Sequence, residues 1–268
     1  MRSLFDAAYE CLAADSVEGK LSLTQAASSA WRAGELSLSS DAAIEDIALP
    51  GRPLLPRLVE PRSLPKRGFG SDLGRASFIH SIAHIEFNAI DLAWDAIYRF
   101  REMPREYYND WVSCASDEAR HFEMLQARLA DYGYTYGDFD AHNGLWEMAV
   151  RTTSSVLIRM ALVPRVLEAR GLDVTPGMIV KLRSLGDDKT ANILEVILRE
   201  EVAHVAVGSR WFAYACELEG VEPRSTFVAL LSEYARGSLF GPFNVEARAR
   251  AGFDEAELEA MHRLVSAP

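Results

Sequence analysis

The sequence predicts an all-α protein organised around a four-helix bundle, and three observations carry that prediction. From about residue 73 onward apolar residues recur with the helical period, and hardly any stretch alternates at period two. Glu-x-x-His occurs at Glu118/His121 and again at Glu201/His204; residues three apart on a helix share one face. A lone glutamate sits on the apolar face of the helix before each pair, Glu86 before the first and Glu168 before the second. Residues 1–72 are expected to be N-terminal helices and an extended arm, 73–220 the four-helix bundle, and 221–268 a C-terminal helical extension. Together they make one structural domain.

Composition sets the bounds. The chain has 268 residues, 49% hydrophobic and 25% charged, which suits a folded protein with ample core. Its formal charge of −11 argues against non-specific nucleic-acid binding, which needs basic surface. Cys11, Cys114 and Cys216 are widely spaced with no Cys-x-x-Cys, so neither a disulfide framework nor a structural zinc site is expected, and a reducing compartment fits. No apolar run approaches the ~18 residues of a membrane helix. Asp6, Glu10 and Asp15 interrupt any secretory apolar region near the N-terminus, so the expected location is cytoplasmic.

The elements follow in order. Residues 1–32 predict one or two short helices, with Leu4, Ala8, Cys11 and Leu12 as one stripe and Leu21, Ala26 and Trp31 as a weaker one. Across 33–72, Pro50, Pro53, Pro56, Pro61 and Pro65 alternate with Arg52, Arg57, Arg62, Lys66 and Arg67, which predicts an extended arm. It reads as a solvated strap packed on the bundle; the functional alternative is contact with a partner or an anionic ligand.

A helix over about 73–100 shows Ile79, Ile82, Ala83, Glu86, Ala89, Ile90, Ala93 and Ile97 on one face, Glu86 being the only charged member. His80, His84, Asn88, Asp91 and Asp95 form a second stripe on that helix, expected to face solvent or another domain. Pro104 opens a helix over about 104–131 with Trp111, Cys114, Glu118, His121, Phe122, Leu125 and Leu129 on its face. A loop with Tyr132, Tyr134 and Tyr136 leads to a third helix over about 143–170, showing Trp146, Val150, Thr153, Leu157, Ala161 and Glu168. Pro164 predicts a kink or a widened turn there. Gly171 is expected to stop that helix and Thr175-Pro176-Gly177 to restart a short one. The fourth helix, about 187–219, carries Ile193, Ile197, Glu201, His204, Gly208, Trp211 and Ala215, and smaller helices flank the loop Gly237–Asn244.

With 23 Glu and 6 His in 268 residues, chance gives about 23×6/268, roughly half an occurrence of Glu-x-x-His, whereas three are present. The third, Glu259/His262, reads as a decoy: Leu258, Met261 and Val265 form the apolar stripe there, and Glu259, His262 and Arg263 a solvated face. Spacing supports the first two. Glu86 precedes Glu118 by 32 residues and Glu168 precedes Glu201 by 33, so each hairpin would bring its carboxylates to one depth, about 24 Å from the turn in the first. Four carboxylates and two imidazoles suit iron or manganese rather than structural zinc, and four negative charges balance two divalent ions. Asp117 and Glu200 point about 100° away and are not expected to be ligands. Cys114 is expected to be a small buried apolar residue.

The order Glu86, Glu118-x-x-His121, Glu168, Glu201-x-x-His204 is similar to that of the ferritin-like di-iron carboxylate superfamily. Residues 74–86 (Gly-Arg-Ala-Ser-Phe-Ile-His-Ser-Ile-Ala-His-Ile-Glu), 117–122 (Asp-Glu-Ala-Arg-His-Phe), 161–173 (Ala-Leu-Val-Pro-Arg-Val-Leu-Glu-Ala-Arg-Gly-Leu-Asp) and 200–205 (Glu-Glu-Val-Ala-His-Val) more closely resemble the bacterial ferritin-like domain of unknown function 455. The resemblance spans about 50–240 and implies a ferritin-like bundle. It places Glu86 and Glu168 as terminal ligands, Glu118 and Glu201 as bridges, and His121 and His204 as terminal nitrogens. The N-terminal helices and the arm depart from a minimal ferritin subunit, which speaks against cage assembly.

The expected function is that of an O₂- or peroxide-dependent oxidoreductase with two metal ions, iron or an iron–manganese pair, acting on a small-molecule substrate. Pro164–Gly177 and Gly237–Asn244 are candidate pocket walls. No nucleotide or flavin fingerprint is present, so electrons would come from an external reductase. The rivals are a non-catalytic iron-handling protein and an enzyme resembling the ferritin-like tRNA hydroxylases.

Overall fold

The computed structural model describes residues 2–65, 68–234 and 239–266; Lys66, Arg67 and Gly237, named above, lie outside the described residues. The described residues form helices and irregular links, with two isolated parallel bridges and no named strand. The fold class is all-α, as the period predicts. The chain divides into two compact units, Met1–Val150 and Arg151–Pro268.

The first unit contains α1 (Leu4–Ala13), α2 (Val17–Arg32), α3 (Asp72–Arg99), α4 (Arg105–Ala130) and most of α5 (Gly144–Arg151). Ser71 starts α3 by accepting from the Gly74 N–H, and Pro104 opens α4, where a missing N–H costs nothing. The α3–α4 hairpin is the frame of the unit. Trp111, Cys114, Phe122, Leu125 and Leu129 of α4 are buried against it, and each large apolar side chain removed from water contributes about 1.5–3 kcal/mol.

The face of α3 away from α4 corrects the sequence reading. His80, His84, Asn88, Asp91 and Asp95 are expected to face solvent or another domain, yet all five are buried within the first unit. The N-terminal helices and the loop after α4 cover them and supply partners. Lys20 of α2, itself fully buried, pairs with Asp91 and donates to the Cys11 carbonyl at 3.1 Å. Arg99 chelates Asp95. His80 accepts from the Gly137 N–H at 2.9 Å. Tyr136 donates its hydroxyl to His84 Nδ1 at 2.8 Å, and Nε2–H meets the His142 carbonyl at 3.0 Å. Hydrophobic period alone cannot separate a solvated polar stripe from one met by polar groups elsewhere in the chain.

Between α2 and α3 the arm straps onto this unit, with one short 3₁₀ turn, Pro61–Ser63. Arg52 donates to Asn143, Arg57 pairs with Asp140, Leu58 bridges to Ala141, and Trp146 donates to the Ala48 carbonyl.

The second unit holds α6 (Val156–Leu162), a π-helical segment Val163–Glu168, α7 (Ala169–Ser184), α8 (Asp188–Glu219), α9 (Pro223–Tyr234), α10 (Val245–Arg250) and α11 (Glu255–Ser266). The expected single helix over 143–170 is broken. It ends at Arg151 and restarts where Ser155 caps α6 by accepting from the Ile158 N–H, so Val150 lies 40% exposed instead of continuing the stripe. Gly171 does not stop the chain either: α7 runs through Gly171, Pro176 and Gly177 to Ser184. The disturbance expected at Pro164 is present as the π segment. Pro164 has no N–H to give, and the Ala169 N–H reaches back five residues to the Pro164 carbonyl.

Asp187 caps α8 through the Thr190 N–H, and Gly220 closes it in the left-handed conformation (φ 66°). Gly208 faces the π segment, where an added Cβ would lie 2.4 Å from Pro164 Cβ and Cγ. Only a residue without a side chain admits that approach.

Candidate metal centre

Glu86 reaches its place because α3 presents it on the side facing α4, among Ala83, Ala89, Ile90 and Ala93, all buried. Glu118 and His121 lie one turn apart on the buried face of α4. Glu86, Glu118 and His121 are only 4%, 3% and 0% exposed. His121 Nδ1 is 3.2 Å from Glu86 Oε2 and 3.4 Å from Glu118 Oε2. The equal-depth expectation for this hairpin therefore holds. Phe87 and Phe122, the neighbours of Glu86 and His121, pack at 5.2 Å between centroids with Tyr136 over both.

The electrostatics match that geometry. Burial pushes the His121 imidazole down, but hydrogen bonds to Glu118 and Glu86 and their charges outweigh it and hold the group at about 11. A cation, here a proton, is required to keep two carboxylates in so dry a place.

In the second unit, α8 presents Glu201 and His204 one turn apart, with His204 Nδ1 3.3 Å from Glu201 Oε1. His204 is buried, and Glu201 keeps 12% of its side chain exposed. Glu168 is half-buried at the last position of the π segment. One ligand atom from each of Glu86, Glu118 and His121 lies within 4.8 Å of the others, a cluster that could hold a metal ion. Two donors across one first-row ion sit about 4.2 Å apart, so the spread has the right scale. Glu168, Glu201 and His204 belong to the second unit. The donor set is oxygen-rich with one imidazole.

The residues set aside behave accordingly. Asp117 pairs with Arg120 at 2.9 Å and Glu200 with Arg199 at 3.5 Å, both partly exposed. Glu259 and His262 are exposed on α11, where Glu259 pairs with Arg263 at 3.5 Å. In the stripe beneath them Leu258 and Met261 are buried, but Val265 is 38% exposed. Cys114 is buried, as expected.

Residues 13–259 match the family described as protein of unknown function DUF455. The chain belongs to that family. A protein of Haemophilus influenzae (strain ATCC 51907 / DSM 11121 / KW20 / Rd), described as an uncharacterized protein, is 42% identical to this DUF455 chain over 224 residues, covering 81% of this chain and 77% of its own length. No solved structure matches. Among the described residues no helix is long and apolar enough to cross a membrane.

Sequence reasoning missed two features of this DUF455 chain. One is the buried polar ladder on α3. The other is Arg165, an isolated cation in the apolar run Ala161–Leu167, which is 1% exposed and held by Glu257. A lone arginine in such a run is the signal that could have found it, because burying that charge demands a partner.

Proposed function

We propose that this DUF455 protein is a dinuclear metal-carboxylate oxidoreductase of the ferritin-like kind, using O₂ or peroxide on a small substrate. The observation that carries this reading is the His121 imidazole held between Glu86 and Glu118 in an apolar interior. In this reading residues 73–220 form the ferritin-like bundle, with 1–72 and 221–268 as additions. Glu86, Glu118, His121, Glu168, Glu201 and His204 hold two ions. Glu86 and Glu168 would each hold one ion, Glu118 and Glu201 would be shared by both, and the two histidines would supply nitrogen.

The bound ions, iron or an iron–manganese pair, would supply redox chemistry toward O₂ or peroxide that side chains lack. The chain's own part is narrower. The carboxylates offset the ionic charge, and the packed rings of Phe87, Phe122 and Tyr136 keep water from the His121 side. His121 must release its proton before its nitrogen can act as a ligand. The electron donor in this reading is a separate reductase.

The arm gives the tRNA-hydroxylase reading less support than its composition suggested. Arg57 is paired with Asp140, and Arg52 donates to Asn143. Anaerobic loading with Fe(II), followed by air and a reductant, tests the proposal. Repeated reductant-dependent O₂ consumption supports an oxidoreductase; a single substoichiometric oxidation supports iron handling instead. Salt-sensitive retention on RNA would favour the hydroxylase.

A further inference from the structure

The π segment that carries Glu168 is gripped from outside by the C-terminal part of the chain. Arg165, three residues before Glu168, is 1% exposed and gives Nη2 to both Glu257 oxygens at 2.8 Å. Three rings enclose its guanidinium: Phe227 at 4.0 Å, Phe253 at 4.5 Å and Phe212 at 4.8 Å. One turn beyond Glu168 a second buried pair repeats the grip. Arg248 of α10 chelates Asp173 through Nε and Nη2 at 2.9 and 2.8 Å, and Asn244 donates to the Leu172 carbonyl at 3.1 Å. Glu168 therefore sits between two clamps made by residues 244–257.

The winding of the segment gives this grip a consequence. In an α-helix, residues three apart differ by about 60° around the axis. In a π turn, with about 4.4 residues per turn, the difference is about 115°. The π form thus turns Glu168 away from the face that Arg165 commits to the phenylalanine box. A π turn holds one residue more than the α-helix into which it could relax, and relaxation would swing Glu168 by about 100° relative to α6. Pro164 against Gly208 fixes one side of the segment and Glu257 fixes Arg165 on the other.

We infer that Glu257 is a positioning residue for the metal centre: through Arg165 it holds the π register that aims Glu168. This rests on the proposed six-ligand reading. Residues 244–257 then belong to the centre's architecture although none of them is a ligand.

The test separates positioning from stability. Arg165→Met/Glu257→Leu removes both charges together and fills the phenylalanine box with apolar atoms, a replacement that commonly preserves folding. Wild-type and variant proteins are loaded anaerobically with Fe(II), desalted and assayed for iron, with unfolding followed in parallel by circular dichroism. The expected result is two irons per wild-type chain and one per variant chain, with helicity unchanged. Two irons in both would overturn the inference and leave the centre standing. No stoichiometric iron in the wild type would overturn the centre itself, and this inference with it. Should the double variant not fold, Glu257→Asp serves: the shorter carboxylate cannot keep both contacts, and the Kd of the second iron rises about tenfold or more. An unchanged Kd overturns the inference.

Discussion

His121 Nδ1 lies 3.2 Å from Glu86 Oε2, joining α4 to α3 by way of two side chains 35 residues apart. The imidazole is held at about 11, so the metal-free protein carries a proton there at neutral pH. The folded value lies above the usual histidine range. Its contribution to the stability of the metal-free protein is therefore complete below about pH 6.5 and is lost as pH rises through about 11. Metal must displace that proton. Titration calorimetry at pH 7.5 in two buffers of different ionisation enthalpy should show about one proton released as the first ion binds.

Glu118→Gln affects both the metal-free and the metal-loaded state. It weakens the partner that chiefly holds the proton on His121, so the apo-protein should unfold at a lower temperature. Metal affinity should fall by at least about tenfold. Glu118→Ala and His204→Ala should each abolish stoichiometric metal. Elemental analysis after desalting checks all three, and two ions retained in any alanine variant would refute the ligand assignment.

The ion pair between Lys20 and Asp91 is almost wholly excluded from solvent, and burial pushes the Asp91 carboxyl up to about 6 even beside the ammonium. Lys20→Met strands the carboxylate and should cost about 3–5 kcal/mol in urea unfolding at pH 7.5. Adding Asp91→Leu should recover most of that loss. Neither change should alter metal stoichiometry, because this pair lies on the side of α3 away from Glu86.

His84 behaves oppositely to His121. Burial lowers its imidazole to about 3, although the His142 carbonyl works against that shift. The unfolded chain takes up the proton first, so stability present above pH 6.5 is lost as pH falls toward 3. The loss approaches about 1.4 kcal/mol per pH unit once the unfolded histidine is protonated. In His84→Gln, denaturant curves between pH 6.5 and 4.5 should be flatter by up to that amount.

Gly208→Ala should destabilise despite the better helix propensity of alanine, worth about 1 kcal/mol. The new methyl meets Pro164 carbon atoms at 2.4 Å, and overpacking of that kind costs about 1–3 kcal/mol. A lower urea midpoint with an unchanged m-value is the expected signature.

The α3–α4 half of the site was legible because Glu86, Glu118 and His121 interrupt apolar faces of uninterrupted helices, where period and spacing convert directly into direction and depth. The third helix was not. Ser155 restarts the chain after a break that no glycine or proline marks, and Gly171 and Gly177 sit inside α7 where local propensity favours a stop. Tertiary packing overrides propensity there, with Arg248, Asn244 and Glu257 reaching back from residues 72 to 92 positions further on. Such partners leave no local trace. The burial of His80, His84, Asn88, Asp91 and Asp95 was hidden for the same reason, since Lys20 and the loop after α4 supply what the helix itself lacks.

The central claim is that six side chains hold two cations. Anomalous diffraction at the iron edge from crystals loaded anaerobically with Fe(II) tests it most directly. The account predicts two peaks, one about 2.1 Å from ligand atoms of Glu86 and His121, the other at the same distance from Glu168 and His204, with Glu118 and Glu201 in reach of both. Iron peaks elsewhere, or none beside His121, would contradict it.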